Sequence, residues 1–142
     1  MDVGFVYALG AAITWGLLYA IDQGLLEKIS PLNLILTKMI LAVVLILPFL
    51  FFNNQSPLKV FSLPKETLYL VVFAGALAVI ANFFIYSSIK SLDAPTASMV
   101  EMSYPFFVVL FTYMIFKTTP NTYFFLGGAL IFAGSYVIIR FS

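Results

Sequence analysis

Two ionisable residues lie well inside apolar runs of this chain: Lys38, in the stretch 32–52, and Glu101, in the stretch 94–116. Placing such a group deep in a bilayer costs about 3 kcal/mol on insertion scales, so it faces the interior of a helix bundle and marks a pathway, a relay or a fixed ion pair. A carboxylate in that position is suited to exchanging a proton or an organic cation. An ammonium there holds an anionic group or neutralises the carboxylate. Their depths agree: Lys38 follows Pro31 by seven residues and Glu101 follows Pro95 by six. At 1.5 Å per helical residue both sit about 10 Å below the same face. Trp15 precedes Asp22 by seven residues and Asn82 precedes Ile89 by seven, which brings them into the same layer from helices running the other way. Tyr19 and Tyr86 lie one turn nearer the surface and Tyr104 one turn deeper. Four helices thus converge on a cavity shaped by Trp15, Tyr19, Lys38, Asn82, Tyr86, Glu101 and Tyr104.

Plainer roles exist for each. Lys38 and Glu101 together make a buried pair that fixes helix register, although desolvation offsets much of the attraction in such a pair. Lys38 also has a stem long enough to snorkel to the interface. Trp15 is suited to core packing, and Tyr19 and Tyr86 to an interfacial aromatic belt. Pro105 removes a backbone hydrogen bond in mid-helix, so the fourth helix is expected to bend near Tyr104, and the bend is a hinge if that helix moves. Pro48 lies near the end of the second helix and needs no special account.

The elements that must hold these groups are five apolar runs, at residues 3–21, 32–52, 67–89, 94–116 and 123–141. Each is near the roughly 20 residues that cross a 30 Å hydrocarbon core. None shows the ten-residue alternation of a membrane barrel strand. Hydrophobic residues make up 63% of the 142 and charged residues 9%, against about 25% charged in an ordinary soluble domain. The fold class is therefore an all-α membrane protein, five transmembrane helices in one compact bundle forming a single domain over residues 1–142. Asp2 stands before the first run, with no basic leader and no small-residue cleavage site, which reads as a retained span and not a signal peptide. The chain is placed in the cell membrane as a multi-pass protein.

The links are short, at 22–30, 53–66, 91–93 and 117–121. Pro31 suits a helix start and Asp93 an N-cap. Asn53-Asn54, Pro57, Pro64 and Pro120 are turn signals. Gly4, Ala8, Ala12, Gly16 and Ala20 recur every four residues along the first helix. Ala74 and Ala78 extend the pattern in the third, and Gly127, Gly128, Ala133, Gly134 and Ser135 in the fifth. Small residues at this spacing let helices approach closely. The fifth helix, with almost no polar side chain, is the best candidate for contact with another subunit.

Composition also excludes. The net charge of +1 and the lack of a basic patch give no footprint for nucleic acid. The chain has no Cys and no His, so thiolate metal sites, disulfides and His-based zinc motifs are out. No phosphate-type glycine loop and no pair of acids within the runs is visible, which leaves no basis for an intramembrane enzyme and no call for a cofactor. With five spans the termini lie on opposite faces. One side then carries Lys59, Lys65 and Lys117, the other Lys28, Lys90 and Arg140. Three against three gives the chain little reason to prefer one orientation, and points to dual topology with an inverted copy as partner.

The order of these features resembles one EamA repeat of the drug/metabolite transporter superfamily. Trp15-Gly16 in the first helix, Ser30-Pro31 ahead of the second, and Lys38 within it match the family's order. The stretch Tyr86-Ser87-Ser88-Ile89-Lys90-Ser91-Leu92-Asp93-Ala94-Pro95-Thr96-Ala97-Ser98 is similar to its link between helices three and four. Pro105 falls where its proline does, and Gly127-Gly128-Ala129-Leu130-Ile131 with Gly134 resembles its last helix. The chain departs from most relatives in carrying one repeat where they carry two inverted ones, and is similar to the five-helix bacterial and archaeal members. Lys38 stands for the usual arginine and so loses bidentate hydrogen bonding. Phe116-Lys117 replaces an acidic residue that the family often has at the end of helix four. The resemblance implies a secondary transporter of a small metabolite or drug-like solute, its second repeat supplied by another copy in a homodimer. The competing reading is a non-transporting subunit or flippase partner, which would co-purify with another membrane protein.

Overall fold

The computed structural model describes residues 3–53, 56–119 and 121–141. Asp2, Asn54 and Pro120, which entered the reading of the first run and of two links, lie outside the described residues. The described chain is mainly helical, without a strand. Helix α1 spans Val3–Leu26, α2 Pro31–Phe52, α3 Lys65–Ser91, α4 Ala94–Glu101, α5 Tyr104–Phe116 and α6 Thr122–Phe141. Val3–Leu26, Pro31–Phe52, Lys65–Ser91 and Ala94–Phe116 are each long and apolar enough to cross a membrane, and Thr122–Ile138 is a shorter apolar stretch. The protein is thus an all-α membrane protein of five apolar helical segments, the fourth made of α4 and α5 end to end.

Two expected boundaries are corrected. The first helix does not stop at residue 21. Asp22 and Leu26 continue the stripe begun by Trp15 and Tyr19, at spacings of four, seven and eleven, and both are fully enclosed. Burial of that stripe carries the helix through polar residues that looked like a link, and only residues 27–30 remain as the turn. The second correction lies in the link 53–66, where Pro57–Ser62 forms a 3-10 helix. Ser56 starts it, its hydroxyl accepting from the Leu58 N–H at 3.3 Å.

The other ends follow their residues. Ser30 caps α2 by accepting from the Asn33 N–H, with Pro31 in the first turn where its missing N–H costs nothing. Asp93 Oδ1 accepts from the Thr96 N–H at 2.7 Å and opens α4, as expected. In α3, Glu66 lies in the first turn and Lys90 in the last, each opposite in sign to the helix end it joins.

The expected bend near Tyr104 is an interruption. Ser103 N–H bonds to the Val100 carbonyl and Phe106 N–H to the Ser103 carbonyl, both at 3.1 Å, so the ladder tightens from fourth- to third-neighbour bonds. Pro105 is the cause: it has no N–H for the Glu101 carbonyl four residues back, and its ring pushes that carbonyl away.

The chain packs as two compact units, one of Met1–Gln23 with Ser88–Ser142 and one of Gly24–Ser87. In the first, the Phe106 ring of α5 meets Phe124 and Phe132 of α6 edge-on, at 6.5 Å and 6.3 Å between centroids. Gly128 lies under that ring, where a Cβ would stand 2.7 Å from Phe106 Cζ. The other small residues are used differently. A Cβ at Gly16, Gly127 or Gly134 would meet nothing within 4 Å, so among the described residues these positions make no close contact with another helix. Large apolar side chains are exposed along every helix, among them Phe49, Phe73, Phe111 and Tyr123. In a water-soluble monomer such a surface would be an interaction patch of unusual extent; in a membrane protein it suits contact with lipid.

Candidate functional site

In the first unit, α1 and α4 are tied by two side-chain bonds. The Tyr19 hydroxyl donates to Glu101 Oε2 at 2.7 Å. One turn further along α1, Gln23 Oε1 accepts from the Ala94 N–H at 2.8 Å. The bonds run in opposite chain order, so α4 lies antiparallel to this part of α1 and is held at both its ends. At 2.7 Å the tyrosine–carboxyl bond is of full hydrogen-bond length, and a phenol bound to an ionised carboxylate makes a bond about twice as strong as one to a neutral acid. Trp15, 49% exposed, lies against Tyr19 with ring centroids 5.6 Å apart and the rings tilted at 59°, which steadies the phenol that faces Glu101.

Glu101 is the last residue of α4. The oxygen-rich end of a helix carries partial negative charge. Pro105 deprives the Glu101 carbonyl of its usual donor, so carboxylate and carbonyl oxygens of one residue gather where the helix stops. Such an end attracts a proton or a cation. Tyr104 begins α5 and is 60% exposed, with Pro105 immediately after it in the first turn.

In the second unit, Lys38 Nζ donates to the Tyr86 hydroxyl at 3.3 Å and lies 5.1 Å from the centre of its ring. Tyr86 is only 3% exposed, so α3 gives the half-buried lysine a fixed hydroxyl and an aromatic face. Asn82 turns its amide back to the Ala78 carbonyl at 2.8 Å, a local bond within its own helix.

Of the seven predicted residues, the structure joins Tyr19 to Glu101, sets Trp15 against the Tyr19 ring and joins Lys38 to Tyr86. It leaves Asn82 on its own backbone and Tyr104 open. Two polar residues escaped the sequence reading. Hydropathy places Asp22 in a link, yet its side chain is 0% exposed, so Glu101 is not the single acid of the helical interior. Hydropathy places Gln23 in the same link, yet it caps α4. The signal for both was the four- and seven-residue spacing from Trp15 and Tyr19. Among the described residues, no three His, Cys, Asp or Glu side chains come together as a metal site.

Comparison with known protein families matches residues 2–140 to the EamA-like transporter family. No curated protein matches the chain, and no solved structure does.

Proposed function

The chain belongs to the EamA-like transporter family, and from that premise we propose that it is a secondary-active carrier of a small metabolite or drug-like solute, working as an antiparallel, dual-topology homodimer. The family is one of membrane transporters of small solutes. The observation that carries the finer reading is the bond between Tyr19 and Glu101 at the interruption of the fourth span. A carboxylate held by a phenol from another helix has two states: ionised, with the strong bond, or occupied by a proton or organic cation, with the bond weakened or replaced. A helix interrupted beside it has somewhere to bend. In this reading Glu101 exchanges the proton or cation, Lys38 holds an anionic group or offsets the charge, and Trp15, Tyr19, Asn82, Tyr86 and Tyr104 shape the solute site. Pro105 marks the hinge. An inverted second copy supplies the other repeat, the arrangement that places a site at the midplane in repeat-built carriers.

The transport reading is tested by uptake into liposomes holding the purified chain, screened over solute classes with and without an imposed proton gradient. Solute movement no faster than in protein-free liposomes would reject it. Orientation is tested separately. The chain has no cysteine, so single cysteines beside Lys59 and Lys90 can be labelled without background. Each is expected to react from both membrane faces in comparable amounts. Adding two lysines within 53–66 should drive that link to the cytoplasm. A wild-type chain labelled from one face only would reject dual topology and leave the transporter reading standing.

A further inference from the structure

Among the described residues, Lys117 is the one non-glycine with positive φ, at φ 57 and ψ 24. It ends α5, its N–H bonded to the Tyr113 carbonyl at 2.9 Å. Glycine or asparagine usually fills this left-handed position, because a Cβ there crowds the following carbonyl. Backbone strain of this kind persists where the surroundings impose it, often at binding sites. Here the turn carries Lys117 Nζ back to within 5.8 Å of the centre of the Tyr113 ring.

Tyr113 is also a wall of a cleft of about 440 Å³ between α5 and α6, lined by Phe106, Leu110, Tyr113, Thr119, Phe124 and Phe125 among others. That volume is within the range of small-molecule sites. The lining is apolar and aromatic except for two hydroxyls, the Tyr113 phenol and that of Thr119, which belongs to the same link as Lys117. The cleft therefore has the Thr119 hydroxyl at the end where α5 stops and hydrocarbon and aromatic carbon along its length, and the Lys117 cation lies over the ring of its Tyr113 wall. Neither a uniformly apolar helix nor a small soluble anion matches that profile; a molecule with a negative head and a hydrocarbon tail does. We propose that this cleft is a site for an anionic phospholipid, one acyl chain lying between α5 and α6 and the phosphate resting on Lys117.

The test is native mass spectrometry of the full chain with phosphatidylglycerol or phosphatidylcholine added at equal concentration. The wild type should retain phosphatidylglycerol about fivefold over phosphatidylcholine, the scale of one basic residue at an anionic lipid surface. Lys117→Gly removes the charge and relieves the left-handed strain, so it should fold at least as well yet bring the ratio close to one. Leu110→Trp, which fills the cleft, should lower retention of both lipids. Glycerol phosphate, which has the head without the tail, should not displace bound phosphatidylglycerol. An unchanged ratio in Lys117→Gly, undiminished retention in Leu110→Trp, or displacement by glycerol phosphate would each overturn the proposal.

Discussion

Glu101→Gln is expected to insert, fold and assemble like the wild type and to lose gradient-driven uptake. The carboxamide keeps the size of the side chain, and its oxygen still accepts from the Tyr19 hydroxyl, which in the native chain reaches Oε2 at 2.7 Å. The bond that ties α1 to the end of α4 is therefore weakened and not removed. What the variant lacks is a group able to be charged in one half of a cycle and neutral in the other. Groups that transfer protons contribute 10²–10⁴-fold where they act, so uptake driven by a pH gradient should fall by roughly two orders of magnitude or more. Tyr19→Phe makes the converse change. The carboxylate stays and loses one hydrogen bond of about 1.5 kcal/mol, so uptake should fall about tenfold. Liposomes with equal amounts of each protein, and helix content checked by circular dichroism, separate these effects from misfolding. Normal uptake by Glu101→Gln under a pH gradient would make Glu101 a packing residue and reject the proposed mechanism.

The second large effect concerns stability. Gly128→Val should cost about 2 kcal/mol, because its Cβ falls 2.7 Å from Phe106 Cζ and that ring is fixed edge-on by Phe124 and Phe132. The ring can give way only toward the cleft it also lines, and doing so disturbs its edge-on contacts with Phe124 and Phe132. Gly127→Val, one residue away, meets nothing within 4 Å and exchanges a poor helix former for a better one, so it should leave the monomer's stability unchanged or slightly raised. The denaturation midpoint in detergent reports both. Adding Phe106→Leu to Gly128→Val should recover part of the loss, since residues in contact do not behave additively. Equal midpoints for the two valine variants would refute this account of the α5–α6 contact.

The five apolar segments were legible because bilayer thickness dictates their length, and family membership was legible because weak motifs fell in one order along the whole chain. The helix ends were legible where a side chain makes the cap, as at Ser30 and Asp93. They were misread where polarity was taken for solvent exposure. Asp22-Gln23-Gly24 breaks the hydropathy of the first run, but the period set by Trp15 and Tyr19 continues through Asp22 to Leu26, and burial followed the period. The interruption at Met102–Ser103 was half legible. A proline announces the missing hydrogen bond, whereas whether a helix bends or re-forms one turn later depends on how its neighbours hold each part. The small residues show the same limit. Spacing identifies a groove, but only the structure distinguishes Gly128, which faces a ring, from Gly127, which faces open space.

The double attachment of α4 has a mechanical consequence. A bar tied to its neighbour at both ends, by Gln23 at one and Tyr19 at the other, resists rolling and sliding while both bonds hold. In a carrier built this way, α1 and α4 act as the stator. The arm left to swing against it is α5, with Met102–Ser103 as its fulcrum, for α6 packs on α4 and meets α5 through the Phe106 ring. Grip and stroke then reside in different stretches of the chain. Changes on α1 or α4 should alter how tightly cargo is held, while changes at the fulcrum or under Phe106 should alter how often the arm moves.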